Sequence, residues 1–423
     1  MLRRGLLAGT ALGLVLFGAT SVASAALNSG NIQTILGTGD RGSGGDNGIG
    51  TSAQLNYPAM TAIVSDTAYI TDCYNNSVRA LNLTNDQVTT VVGTTGASSG
   101  YTGDGGPATA ATTSCPWAIA AAPTQGVLYF GDFYNNVIRA VDMETGIITT
   151  FAGTGSVGNP SSAADVTGSA KSIDLGYVYG IATDAAGNLY VGQYGSSKGW
   201  ITKITPSGQE SLYAGLGSNT DVNFSGAATD ASLGELDSLG IDPNGNLYVY
   251  DNQSVVREIT TDGQISTVFG NGTSGNSGDG GPALSAEISY ITGYAFSPTG
   301  DVYFSDLDNN NIRELAKNGT VSTIAGGGNT SAVGYTGSAT DVEFQGLWGL
   351  GFYNNTLLAI DYDGNAVYQI GVTPTPALTT TTAVTTTMTL AHTGSNSESH
   401  LVIGFGAIAV GGALLVAARR RRA

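Results

Sequence analysis

Leu128-Tyr129-Phe130-Gly131-Asp132-Phe133-Tyr134-Asn135-Asn136-Val137-Ile138-Arg139-Ala140-Val141-Asp142 is the stretch on which the fold turns. Two runs of aliphatic and aromatic residues flank Asn135-Asn136, a residue type that tolerates the left-handed backbone of a tight turn, so the stretch reads as a β-hairpin. Its first half, apolar-Tyr-apolar-x-Asp, recurs as Ala68–Asp72, Leu247–Asp251 and Val302–Asp306, with degenerate copies at Leu189–Gln193 and Leu357–Asp361. The last residues of the six copies stand 60, 61, 58, 55 and 55 positions apart. A near-constant spacing of this kind is a repeat array.

Working outward from the hairpin, the second repeat contains four short strands, Trp117 to Ala121, Val127 to Gly131, Val137 to Asp142 and Ile147 to Ala152, with Thr145-Gly146 in the second turn. No window sustains helical periodicity. Four-stranded units arranged in a ring make a β-propeller. A fourth-strand signature reads Val88–Gly93, Ile148–Gly153, Ile265–Gly270 and Val321–Gly326. The sixth repeat stops near Val372 without one, while an orphan copy, Ile32–Gly37, opens the mature chain. The expected fold is therefore all-β, a six-bladed propeller whose N-terminal strand completes the last blade and leaves no open edge.

Those repeats, together with Thr102-Gly103-Asp104-Gly105-Gly106-Pro107-Ala108 and Ser277-Gly278-Asp279-Gly280-Gly281-Pro282-Ala283, resemble the NHL-repeat propellers over about residues 30–372. The resemblance implies the architecture closely and the function loosely: binding and scaffolding roles, with lyases and lactonases on related propellers.

Composition narrows the chemistry. The chain has 423 residues with 63 Gly, 11 % charged residues and a net charge of -17. Gly at this level fits turns repeated in register around a ring. Both histidines, His392 and His400, lie outside the repeats, which removes imidazole-based zinc sites, triads and general bases from the folded body. The acidic balance excludes nucleic acid as a partner, because phosphate binding needs clustered Lys and Arg.

Both ends read as processing signals. Arg3-Arg4, an apolar run from Gly5 to Ala19 and Ala23-Ser24-Ala25 make residues 1–25 a secretory signal peptide, cut by signal peptidase after export by the general or the twin-arginine route. Leu401 to Ala418 is an uncharged 18-residue stretch, expected as a transmembrane span in the precursor, and residues 419–423 form a basic cytoplasmic tail. Leu390-Ala391-His392-Thr393-Gly394 stands just upstream, and the order of pentapeptide, span and basic tail resembles a sortase cell-wall sorting signal. Ala391 replaces the usual Pro, as in the variant associated with actinobacterial sortases. Residues 373–389, with ten Thr and two Pro, read as an extended stalk. The expected localisation is extracellular, anchored to the wall or membrane of a Gram-positive, actinobacterial cell. With the ends removed, residues 26–393 keep 9 basic and 31 acidic groups, a net of -22.

Four features could carry chemistry. Asp72/Arg79, Asp132/Arg139, Asp251/Arg257 and Asp306/Arg313 recur at a spacing of six or seven, and their repetition favours structural ion pairs over catalysis. The Gly-Asp-Gly-Gly loops lack the Lys-Ser/Thr of a phosphate cradle and read as turns in the long loops between blades. Asp306, Asp308, Asp361 and Asp363 alternate as in calcium loops but lack the bidentate Glu, so calcium is the one cofactor left open, against solvated turns. Cys73 and Cys115 fall in loops at the same propeller face on neighbouring blades, which suggests a disulfide rather than two buried thiols.

The last feature is positional. Aligning the repeats places Ala59, Trp117, Tyr179, Asp237, Thr292 and Trp348 at equivalent starts of the first strand, around the channel mouth. Trp117, Tyr179 and Trp348 could rim a site for a sugar or an apolar peptide side chain, or wedge between blades. The expected protein is a monomeric, wall-anchored recognition or adhesion module for an extracellular protein or glycan, with no catalytic residue assigned. The alternative is a lactonase- or lyase-like enzyme holding a metal with carboxylates and Asn, for which only Asp237 departs visibly from the other repeats.

Overall fold

A computed structural model describes residues 27–195 and 198–373, together with two short strands farther along the chain. The chain divides into two units, Met1–Thr375 and Pro376–Ala423. In the second, the described residues are the antiparallel strands Ala409–Val410 and Ala413–Leu414. They fall inside the segment expected to span a membrane. No helix among the described residues is long and apolar enough to cross one. The signal peptide, nearly all of the stalk, the sorting pentapeptide and the basic tail lie outside the described residues.

The first unit is a six-bladed β-propeller. Blade two runs Pro116–Ala122, Val127–Asp132, Val137–Asp142 and Ile148–Ala152, each strand antiparallel to the next. Blades one, three, four and five repeat this meander, beginning at Pro58, Tyr177, Leu239 and Ile291. Blade six takes Leu347–Tyr353, Thr356–Asp361 and Ala366–Gly371 from the C-terminal side and Asn31–Leu36 from the N-terminal side. Ile32 pairs with Ile370 and Thr34 with Tyr368, so the ring closes as the repeat count requires.

The Gly that ends each fourth strand explains why the signature is so constant. Asn76, Asn136, Asn310 and Asn365 turn the chain into the third strand with φ near 50°. Their carbonyls press against Gly93, Gly153, Gly326 and Gly37, where a Cβ would meet the oxygen at 2.4, 2.6, 2.3 and 2.3 Å. All four glycines also have positive φ, which only Gly adopts without strain. Gly37 obeys the same geometry as the others, so the orphan N-terminal strand is the fourth strand of blade six in detail as well as in order.

In blades one, two, four and five the repeated Asp and Arg lie buried inside the blade. Arg139 sits opposite Phe130 and reaches Asp132 through Nη1 at 3.4 Å; Arg79 reaches Asp72 at 3.4 Å and Arg257 reaches Asp251 at 3.2 Å. Each of these arginines meets that aspartate through one guanidinium nitrogen only. The second Nη goes instead to the aspartate of the preceding Gly-rich loop: Arg139 to Asp104 at 2.7 Å, Arg79 to Asp46 at 2.8 Å and Arg313 to Asp279 at 2.6 Å. Arg313 leaves Asp306 for the Glu287 and Ser277 carbonyls, and Asp306 accepts from Asn309. The Gly-Asp-Gly-Gly loops are therefore more than turns. The loop of blade two also bonds along the outer strand, Gly105 N–H to the Ile148 carbonyl and Ala108 N–H to the Gly146 carbonyl. Each such loop covers a blade's exposed edge and delivers a countercharge to its core.

Blades three and six replace the pair. In blade three Gln193 donates to Thr202 and Glu210 is buried nearby, its carboxyl pushed up to about 7 by burial. In blade six Tyr368 takes the Arg position and donates to Asp361. Cys73 and Cys115 are joined, S–S 2.01 Å, tying blade one to the start of blade two.

Candidate functional site

The mouth of the channel is built by an irregularity in the first strands. In blades one, two, three, five and six the ladder between first and second strands shifts register at the start, between Pro58 and Thr61, Pro116 and Ile119, Val178 and Gly180, Ile291 and Gly293, and Leu347 and Leu350. Ala59, Trp117, Tyr179, Thr292 and Trp348 stand in these bulges, a device that re-aims a side chain at the end of a strand. In blade four pairing begins at Leu239, and Asp237 occupies the equivalent place just before it. Hydroxyls of the preceding blade fix both tryptophans: Thr71 Oγ1 donates to the Trp117 carbonyl at 2.8 Å and Ser305 Oγ to the Trp348 carbonyl at 2.6 Å.

The structure brings three of the five proposed binding residues into one aromatic cluster. The Trp117 and Trp348 rings meet edge to face at 4.7 Å, across blade one, where Ala59 is too small to separate them. Tyr179 lies 6.4 Å from Trp117, and Phe133 and Tyr362 fill the gaps at 5.9 and 5.5 Å. These are separations at which aromatic pairs attract. Tyr179 and Trp348 keep partial exposure, whereas Trp117 is 9 % exposed and lies under its neighbours with its Nε1 unpartnered. Thr292 is a correction. It is fully buried, and its hydroxyl donates to the Leu347 carbonyl, so it positions blade six and offers nothing to a ligand.

Asp237 belongs to the other half of the mouth. It is 1 % exposed and lies beside the Tyr290 hydroxyl and Glu235; burial is the main reason its carboxyl is pushed up to about 7. The same carboxylates, with burial first, push Tyr179 up to about 12 and Tyr290 higher still. Below the mouth, Thr61, Ile119, Ile181, Leu239, Tyr294 and Leu350, one from each blade, enclose a cavity of about 70 Å³. The face is thus asymmetric, aromatic over blades six, one, two and three, with the carboxylates Glu235 and Asp237 at the entry to blade four.

Sequence reasoning missed Tyr57, Tyr74, Phe133, Tyr134, Tyr290 and Tyr362. Tyr57 contacts Tyr74 and Tyr362 as tilted ring pairs at 4.9 and 4.6 Å, with Arg41 over its ring at 4.0 Å. Their signal was present: Tyr74, Phe133, Tyr134 and Tyr362 all fall one or two residues after the repeated Asp, and Tyr57 and Tyr290 directly precede a first strand.

The aspartates left open for calcium have protein donors around them. Asp361 accepts from the backbone N–H groups of Gln345, Gly346 and Gly364, Asp306 from Asn309 and Ser289 N–H, and Asp308 from Ser289 Oγ. Asp363 is exposed. These carboxylates close turns, and among the described residues no three His, Cys, Asp or Glu side chains are grouped to hold a metal.

A family model described as the Teneurin NHL domain matches residues 82–268, from the third strand of blade one into blade four. The fold is a six-bladed propeller of NHL type. Human Teneurin-4 is 29 % identical over 239 residues, 51 % of this chain and 8 % of that protein. Mouse Teneurin-3 is 28 % identical over 238 residues, again 8 % of its length. The NHL propeller therefore spans a small part of the curated relatives it matches. Among solved structures, a protein of unknown function from Bacteroides thetaiotaomicron superposes with TM-score 0.58 at 20 % identity, covering 80 % of this chain and 75 % of its own. An auxiliary nutrient binding protein from the same species gives 0.57 at 15 %, covering 81 % and 76 %. At these identities the likeness is one of fold.

Proposed function

We propose that this protein is an extracellular recognition module: a rigid NHL propeller, exported, held on a Thr-rich stalk and joined to the cell wall through Thr393, that captures a protein or glycan ligand at the channel mouth. The observation that carries the reading is the break in six-fold symmetry there. Six equivalent positions at the starts of the first strands carry Ala, Trp, Tyr, Asp, Thr and Trp, and the large rings collect over one half. A structural ring needs no such asymmetry. Aromatic faces bordered by hydrogen-bonding groups are the usual makeup of sites for sugars and peptide side chains. The description of a fold relative as a nutrient binding protein is in line with this reading.

The test is capture by the purified protein on arrays of extracellular peptides and glycans, with Trp348→Ala beside it. Loss of the captured ligand at unchanged thermal stability supports the mouth as the site; equal capture by both rejects it. For anchoring, deleting residues 390–394 should move the protein from the wall fraction to the membrane fraction, and persistence of wall linkage rejects the sortase step.

A further inference from the structure

We propose that the acidic half of the mouth, between Tyr179, Asp237 and Tyr290, binds the ammonium group of a lysine side chain presented by a peptide. This deepens the reading of the mouth as a ligand site and depends on it.

Three observations carry the inference. First, Asp237 stands where the repeat geometry places Trp117, Tyr179 and Trp348, so its side chain is directed to the mouth, and it is 1 % exposed with Oδ2 unpartnered. A buried carboxylate oxygen without a donor is costly, and buried charges are normally paired. Among the described residues no cation makes an ion pair with it. Second, the groups facing it are Glu235 from its own segment, Tyr290 and Tyr294 from blade five and Tyr179 from blade three, all acidic or phenolic. Ring faces beside carboxylates are the surroundings in which a cation is held best. Third, the described body carries a large excess of acidic over basic groups, which draws basic partners toward the surface.

The shape selects among cations. The Tyr290 hydroxyl lies beside the Asp237 carboxyl, and a single oxygen of that carboxyl, Oδ2, is buried without a partner. A guanidinium fork needs two acceptors side by side, whereas an ammonium is a point charge with rotatable donors. The cavity below the mouth, which Leu239 and Ser238 beside Asp237 help to line, has Ile181 and Leu350 as further apolar walls. They suit the methylene stem of lysine and give no partners to the ring hydroxyls of an amino sugar. Ammonium binding also replaces the missing countercharge, so it should release a proton near neutral pH and weaken as pH falls below 7.

The experiment uses the full-length protein and three blocked tripeptides, Gly-Lys-Gly, Gly-Arg-Gly and Gly-norleucine-Gly, with glucosamine as a fourth probe, titrated calorimetrically at pH 8. The expected order is Lys tightest, with a loss of roughly ten-fold or more in Asp237→Asn, the size of one charge-assisted hydrogen bond. Melting temperature shows that this variant is folded, and removal of a buried charge should leave it at or above the parent value. If norleucine binds as well as Lys and Asp237→Asn changes nothing, the cation inference fails while the aromatic mouth stands. Glucosamine or Arg binding more tightly than Lys also overturns it. If no probe binds and the Trp348→Ala variant still captures array ligands, the mouth reading and the inference fail together.

Discussion

Replacing Asp132 by Asn removes one of the two countercharges of Arg139 at constant side-chain volume. Arg139 and Asp132 have no exposed side-chain surface, while Asp104, the other partner, is 49 % exposed. Breaking a buried pair from one side costs about 3–5 kcal/mol, because the remaining charge is left uncompensated. Asp104, still 2.7 Å away, holds the expected loss to the lower end, about 3 kcal/mol. With an unfolding entropy of about 2.1 cal/mol/K per residue, a propeller of roughly 340 residues then melts about 4 °C lower. Asp104→Asn breaks a half-solvated pair worth about 0.2–1 kcal/mol, a shift of about 1 °C. In the double variant Arg139 has no carboxylate at all, so the combined loss should exceed the sum of the singles by at least about 1 kcal/mol. Scanning calorimetry at pH 8 is the assay, since burial raises Asp132 only to about 6 and leaves it ionised there. Asp104→Asn costing as much as Asp132→Asn, or strict additivity, would refute the two-carboxylate account of the blade core.

Other predictions concern closure, redox state, pH and metal. Removing residues 27–37 strips Ile32, Ile35 and Leu36 from blade six and opens two sheet edges, so the product should self-associate in sedimentation runs; a stable monomer contradicts the closure. Cys73→Ser with Cys115→Ser opens a loop closed at a separation of 42 residues, expected to cost about 4 kcal/mol, or about 5–6 °C, and reductant should do the same to the parent. Burial raises Glu210 and Asp237 to about 7 in the folded state, above their unfolded values, so the native protein holds extra protons in that window. Their stabilisation is complete in acid and lost as pH rises toward 7, so Tm should be higher at pH 5 than at pH 8, and Glu210→Gln should flatten the profile. Chelation should move Tm by less than about 1 °C, because the alternating aspartates already accept protein donors; a larger, calcium-reversible drop would support the calcium reading.

The fold was legible because each repeat states its own constraints: Asn in the left-handed turn, Gly where that turn's carbonyl presses, Asp and Arg on facing strands. One unclosed blade and one orphan strand then left a single arrangement. The pairing partners were less legible, since Asp104 and Asp279 reach their arginines across some 35 residues that include two strands of the blade, a distance no local spacing encodes. At the site, Trp117, Tyr179, Asp237 and Trp348 were found by repeat alignment, but exposure was not. Thr292 looked equivalent and is fully buried, with its hydroxyl bonded to the next blade, blade six. Tyr57, Tyr290 and Tyr362 were overlooked because only their loops, which differ from blade to blade, bring them to the mouth.

The most direct test follows the three tryptophan indole N–H resonances in a 15N-labelled protein during titration with the lysine tripeptide and the array ligand. Trp117 and Trp348 lie in the mouth, whereas Trp200 is buried in the third strand of blade three against Gly176. The account predicts that the Trp117 and Trp348 signals shift with saturation while Trp200 stays fixed. A shift confined to Trp200, or binding that moves none of the three, would contradict it.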